Sequence, residues 1–143
     1  MEAVYRSSWS ALTRLAYLLT GDRSEAEDIV QTVFATAVSR WETIEEPAGY
    51  LRRAVINRAS DAHRRSFRTA ATAATIAETI EEPVVNELWT LVRRLPAPQR
   101  AVVVLRFYED LPLADIAILL GRPASTVRSD LRRALITLRE SLA

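Results

Sequence analysis

The chain has no cysteine, no lysine, one histidine, one methionine and three glycines in 143 residues. The lack of cysteine excludes disulfides and thiolate metal sites and suits a cytoplasmic protein. One histidine, His63, cannot build a multi-histidine metal centre. No glycine-rich phosphate loop is present. No apolar run approaches the roughly 20 residues of a membrane span, and no secretory leader or membrane insertion is expected. No nucleophile, base and acid stand in a catalytic arrangement, so no enzyme and no cofactor are expected. Glu25, Glu27 and Asp28 gather where a helix begins; the macrodipole favours anions there without any metal. Few glycines and helix-period patterning nearly throughout point to an all-α protein. A hydrophobic content of 49% is enough for packed cores.

What is present is arginine, and it is unevenly placed. All 19 basic residues are arginine, as a GC-rich genome would favour. The net charge of +1 hides four blocks. Residues 1–46 hold four Arg against eight acids, and residues 47–80 hold six against two. Residues 81–115 hold four against six, and residues 116–143 hold five against two. Two acidic blocks alternate with two basic ones. That is the pattern of two nucleic-acid footprints, each beside an acidic surface that faces protein.

The clearest structural signal is the stretch from Leu111 to Ala143. Leu113, Ile116, Ala117 and Leu120 define one apolar helix face. Gly121 supplies a stop, and Pro123 suits the first turn of the next helix. Val127, Leu131, Ala134, Leu135, Leu138 and Leu142 then define a second apolar face. Two amphipathic helices joined by a tight turn make a helix-turn-helix. Ser125, Arg128, Ser129 and Arg132 lie outward near the start of the second helix, where a recognition helix meets base edges and phosphates. The competing reading is an αα-hairpin with a solvated arginine face.

Elsewhere, a first helix is expected over Ser8–Thr20, with Trp9, Leu12, Leu15, Ala16 and Leu19 inward. A second follows Gly21-Asp22, opened by a capping box in which Ser24 caps and Glu27 reaches back. Its core face is Ala26, Ile29, Val30, Val33, Phe34 and Ala37, and Asp28, Gln31 and Thr32 lie on the other face. A third helix, Pro47 to about Arg65, is strongly basic, with Leu51, Ala54, Val55 and Ala62 inward. Arg53, Asn57, Ser60 and Arg64 share another of its faces. Asn57 among arginines reads either as a solvated side chain or as a local break in the helix. An Ala/Thr-rich stretch reads as a flexible linker, since threonine is a modest helix former. Beyond it, Val85, Leu88, Trp89 and Val92 form a helix face, and the nearly all-apolar Gln99–Tyr108 reads as the buried centre of a second domain. The expectation is two small helical domains, residues 1–68 and 84–143, joined by a linker at 69–83.

Three segments together resemble a family. LAYLLTGDRSEAEDIVQTVF, from Leu15 to Phe34, is similar to regions 2.1–2.2 of bacterial extracytoplasmic-function sigma factors of the sigma-70 family. PAGYLRRAVINRASDAHRR, from Pro47 to Arg65, is similar to their regions 2.3–2.4. LPAPQRAVVVLRFYEDLPLADIAILLGRPASTVRSDLRRAL, from Leu95 to Leu135, is similar to their region 4. The first two segments look most like an actinobacterial subgroup. The chain departs from the family's pattern at three positions. Thr32 stands where a glutamate usually follows the DxVQ run, Ser125 stands where glycine is frequent, and Asp130 stands where a basic residue is frequent. At 100° per residue, Asp130 points nearly opposite Arg128 and Arg132.

The resemblance implies a subunit that binds core RNA polymerase, recognises promoters at −35 and −10 elements, and assists strand opening. It implies −35 contacts from Arg122, Ser125, Thr126, Arg128, Ser129, Arg132 and Arg133. For the −10 element it implies Tyr50, Arg52, Arg53, Asn57, Arg58, Asp61, Arg64 and Arg65, with Asn57 lining a pocket for a flipped base. It places Asp28, Ile29, Gln31 and Thr32 on the clamp helices of polymerase's largest subunit, and the C-terminal domain on the flap. Many members of the family are held by an anti-sigma factor, although no residue here points to one. Two rival functions remain at this point: a helix-turn-helix regulator that works without polymerase, and a sigma-like adaptor without promoter activity. The first leaves the split between acidic residues 1–46 and basic residues 47–80 without a purpose.

Overall fold

The computed structural model describes residues 2–69 and 87–142, with side chains for residues 3–61 and 88–142. The expected linker therefore lies outside the described residues from position 70 onward. Every regular element among the described residues is helical. The chain divides into two compact units, residues 1–65 and 66–143.

The first unit begins with a helical hairpin. Helix α1 is Glu2–Thr20 and α2 is Arg23–Val38. Leu12, Leu15, Ala16 and Leu19 recur at helical spacing and are buried, as are Ala26, Ile29, Val30, Val33, Phe34 and Ala37 on α2. Each fully buried leucine or valine contributes about 1.5–3 kcal/mol relative to an exposed one. Tyr5, Trp9 and Phe34 add an aromatic cluster between the helices, with ring centroids 4.9–5.7 Å apart. The turn is closed by Gly21 in the left-handed conformation (φ 72°), whose N–H reaches the Tyr17 carbonyl at 2.7 Å. Asp22, not Ser24, caps α2: its Oδ1 accepts from the Glu25 N–H at 3.1 Å. Ser24 is already inside the helix and exposed, and Glu27 pairs with Arg23 at 3.1 Å instead of reaching back. The cap falls on Asp22 because Gly21 ends the left-handed turn one residue earlier. Helix α1 also starts before the expected Ser8.

A 3₁₀ turn at Trp41–Thr43 leads to α3, Pro47–Thr69. Pro47 loses nothing at the first helical position, where its missing N–H would be an orphan donor. Leu51, Val55, Ile56 and Ala59 are buried. The expected Ala54 is only half-buried, and Ala62 lies outside the described side chains. The inward stripe is thus rotated slightly from the one read off the sequence. Helix α3 is unbroken through Asn57, which removes the helix-break reading of that residue.

The second unit holds α4 (Glu87–Arg94), α5 (Ala97–Val103), α6 (Leu113–Leu120) and α7 (Ala124–Leu142). Trp89, Val92, Leu95, Ile116, Leu120, Val127, Ala134 and Leu138 join the wholly buried run Ala101–Leu105 in its core. Arg100 is buried and donates from Nη1 to the Arg93 carbonyl at 3.0 Å, satisfying an orphan acceptor at the end of α4. Helix α5 widens into a π-helical turn at Val104–Tyr108. Phe107 and Tyr108 emerge from that turn exposed. Of Gln99–Tyr108, expected to be a buried centre, Arg100–Leu105 is buried; Gln99 is half-buried, and the wider turn rotates the last residues outward.

Between α6 and α7 the chain makes a Schellman turn. The Gly121 N–H reaches the Ile118 carbonyl at 3.2 Å, and the Arg122 N–H reaches that of Ala117 at 3.1 Å. Gly121 sits at φ 63°. A methyl group added there would meet nothing within 4 Å. The cost of Gly121→Ala is therefore backbone conformation alone, about 1–2 kcal/mol. Urea unfolding of the full chain should show a loss of that size.

Candidate nucleic-acid interface

Helix α7 divides cleanly by angle. Val127, Asp130, Ala134 and Leu138 form its buried stripe. Ser125, Thr126, Arg128, Ser129, Arg132 and Arg133 are all exposed on the remaining surface. Arg128 and Arg132 stand one turn apart, so both can enter one groove. Among the described residues, Arg128, Arg132 and Arg133 make no ion pair, so their donors are available to a ligand. The two acids of α7 do not disturb this face: Asp130 is buried and Glu140 is near the far end. The first turn of α7 adds backbone N–H groups and the positive end of the helix dipole, both favourable to phosphate. A helix of this kind fits the major groove, where an arginine fork can bind the O6 and N7 of guanine.

Arg122 differs from the expectation. It is not one of the free cations: its Nη1 lies 2.7 Å from Asp130 Oδ2, with both side chains largely withdrawn from water. The buried stripe of α7 also stops short of the sequence reading. Leu135 and Leu142 are exposed, not inward. With Leu88, Val92, Val103, Phe107 and Leu138 they line an open apolar groove of about 660 Å³. Sequence periodicity assigned those leucines to a core because it cannot tell a stripe that meets a partner helix from one that faces an open groove.

Helix α3 carries the second basic face. Arg52, Arg53, Asn57, Arg58 and Asp61 are exposed, and Tyr50 is half-buried at its start. Among the described residues the Asn57 amide has no partner, so both its donor and its acceptor are open. Arg64 and Arg65 lie outside the described side chains. Arg53 and Asn57 share one stripe at i and i+4, and Leu51 and Val55 hold the opposite side of the helix in the core.

Helix α2 shows Asp28, Gln31 and Thr32 exposed on one face. Ile29 departs from the expectation of an exposed polymerase contact. It is buried, because one residue past Asp28 turns it by 100° onto the Ala26–Val30–Val33 stripe. It supports the exposed face from beneath and does not belong to it. No cluster of metal-ligating side chains occurs among the described residues.

The sigma-70 region 2 family matches residues 4–69, and the sigma-70 region 4 family matches residues 86–138. The RNA polymerase sigma-E factor of Streptomyces coelicolor is 35% identical, over 99% of this chain and 85% of that one. The ECF RNA polymerase sigma factor SigL of Mycobacterium tuberculosis is 31% identical, over 99% of this chain and 88% of that one. In fold, the chain resembles the sigma factor RpoE of Bartonella quintana, crystallised with the anti-sigma factor NepR. The TM-score is 0.70 at 20% identity, over 99% of this chain and 95% of that one.

Proposed function

The chain belongs to the sigma-70 family of RNA polymerase sigma factors, in its extracytoplasmic-function class, and from that premise we propose how its helical faces divide the work of initiation. It is a DNA-binding transcription initiation factor that joins core RNA polymerase and directs it to promoters. It contributes specificity and no catalysis of its own. Its place of work is the cytoplasm, where polymerase and promoters are. The observation that carries the division of labour is the pair of exposed basic faces, one on α7 and one on α3, each on a helix matched to its own family region.

Helix α7 reads the −35 element. Arg128, Ser129 and Arg132 face base edges in the major groove, and Arg133, Ser125 and Thr126 stand nearer the backbone. Helix α3 engages the −10 element. Strand opening requires a protein to hold an unstacked base, at an unstacking cost of about a few kcal/mol. The open amide of Asn57 can pair with the Watson–Crick edge of such a base. Arg52, Arg53 and Arg58 lie near it on the same helix and track the displaced backbone, as arginines do in single-strand grooves. The family resemblance adds Arg64 and Arg65 to these contacts, Tyr50 stacks on a base, and Asp61 orients a neighbouring arginine. The Asp28, Gln31 and Thr32 face of α2 meets the clamp helices of the largest polymerase subunit. The apolar groove of the second unit, rimmed by Leu88, Phe107 and Leu142, seats the polymerase flap.

Run-off transcription with purified core polymerase tests the whole reading. Promoter-dependent transcripts support it. A protein that shifts promoter DNA alone and yields no transcript with polymerase is a simple regulator.

Three substitutions test the parts. Arg128→Ala should relax preference at one −35 base pair by about 1–3 kcal/mol, the worth of a bidentate arginine–guanine contact. Binding measured against a panel of −35 variants reads this out. An equal loss on every sequence makes Arg128 a phosphate contact. Asp28→Arg should reduce co-purification with core polymerase while leaving the helical circular-dichroism spectrum unchanged; undiminished assembly removes the α2 assignment. Asn57→Ala should leave polymerase binding intact but lower permanganate reactivity of the −10 region on duplex DNA, with recovery on a pre-melted bubble. Equal opening by variant and parent on duplex DNA rules Asn57 out.

A further inference from the structure

Asp130 occupies a position where a carboxylate needs a reason. It lies on the buried stripe of α7, between Val127 and Ala134, both wholly buried. A charge there is costly unless it is paired. Its partner comes from the turn. Arg122 is the second residue past the end of α6, a position that in a Schellman turn is commonly apolar and packs back on its own helix. Here it is a cation, and its guanidinium meets Asp130 at 2.7 Å across eight residues of chain. The Arg122 side chain is 23% exposed and that of Asp130 is 11% exposed. The contact therefore fastens the turn to the second turn of α7 in a partly dry setting, where it is directional and weakly screened.

The geometry bears on DNA reading. Asp130 is two residues from Arg128 and two from Arg132, about 200° away around the helix in either direction. Fixing Asp130 against the turn therefore fixes the roll of α7 and with it the outward direction of both arginines. At the helix's outer radius of about 5–6 Å, a roll of roughly 20° moves a side chain by about 2 Å. That displacement is more than a hydrogen bond to a base edge tolerates. Other restraints on this end of α7 do not fix roll as directly. Pro123 has no polar side chain with which to cap the helix, and the packing of Val127 and Ala134 is apolar and carries no directional hydrogen bond.

We propose that Arg122 and Asp130 form a positioning pair that sets the roll of α7, and so governs −35 base discrimination without touching DNA. The inference rests on the reading that the outward face of α7 contacts the −35 element. It also takes Arg122 out of the set of phosphate contacts.

The test uses holoenzyme assembled from the full chain and core RNA polymerase, with promoters carrying matched or mismatched −35 elements. Arg122→Met and Asp130→Asn should each lower discrimination by roughly tenfold, within the range of coupling between contacting residues, and the double variant should lose no more than either single one. The slope of log affinity against log salt should be unchanged by Arg122→Met, because no phosphate contact is lost. Arg122→Lys, which keeps a cation at the turn, should retain discrimination where Arg122→Met loses it, whatever the stability of the Asp130 variant. A fall of about one unit in the salt slope for Arg122→Met makes Arg122 a phosphate contact and overturns the pair. Additive losses, or equal losses by Arg122→Lys and Arg122→Met, also overturn it. A flat response to Arg128→Ala in the same assay overturns the DNA-facing reading of α7, and the proposal with it. A normal response to Arg128→Ala beside a slope change at Arg122 overturns the pair alone.

Discussion

The turn between α6 and α7 constrains more of the second unit than any other feature. Its left-handed residue directs the chain back on itself, and its two backbone hydrogen bonds satisfy the carbonyls at the end of α6. Because only one residue, Arg122, separates Gly121 from Pro123, the second helix has little freedom in where it starts. Its direction then decides which side chains reach the core and which reach solvent. The basic outward face exists because the opposite stripe of α7 is committed to packing against α5 and α6. An arginine face on an unconstrained helix would point nowhere in particular. On this one, it points away from a core.

The same logic organises the first unit. Asp22 and Gly21 close the α1–α2 hairpin, and the closure leaves one side of α2 buried and the other presenting Asp28, Gln31 and Thr32. In α3, four buried residues set which face is outward, and Asn57 falls on it with its amide open. Each of these exposed faces is therefore the complement of a hydrophobic stripe. Charge differs between these faces: the exposed face of α2 carries the carboxylate of Asp28, and those of α3 and α7 carry arginines. Electrostatic steering supplies encounter and orientation, and close hydrogen bonding supplies discrimination.

Buried or paired polar groups carry the second lesson. Arg100 looks like one more arginine of a basic protein, yet it is buried and closes the end of α4. Arg122 looks like a phosphate contact, yet it holds Asp130. Charge counting places all such residues on the surface. The structure separates arginines that serve the fold from those left free for a ligand.

The all-α class, the helix-turn-helix, the outward arginines of its second helix, and the order of acidic and basic blocks were legible in the sequence alone. These follow from local rules: 3.6-residue periodicity, the conformational freedom of glycine, the fixed φ of proline, and the sign of side-chain charge. It also carried the family, because three ordered segments are far more specific than any one of them. Tertiary structure decided what depends on neighbours distant in sequence. It moved the α2 cap to Asp22 and placed Ile29 beneath the surface. It left Leu135, Leu142 and Phe107 lining a groove instead of a core. It gave Arg122 a partner eight residues away. The physical reason is common to all of these. A side chain's role depends on what fills the space it points into, and periodicity gives the direction of pointing without the identity of the neighbour.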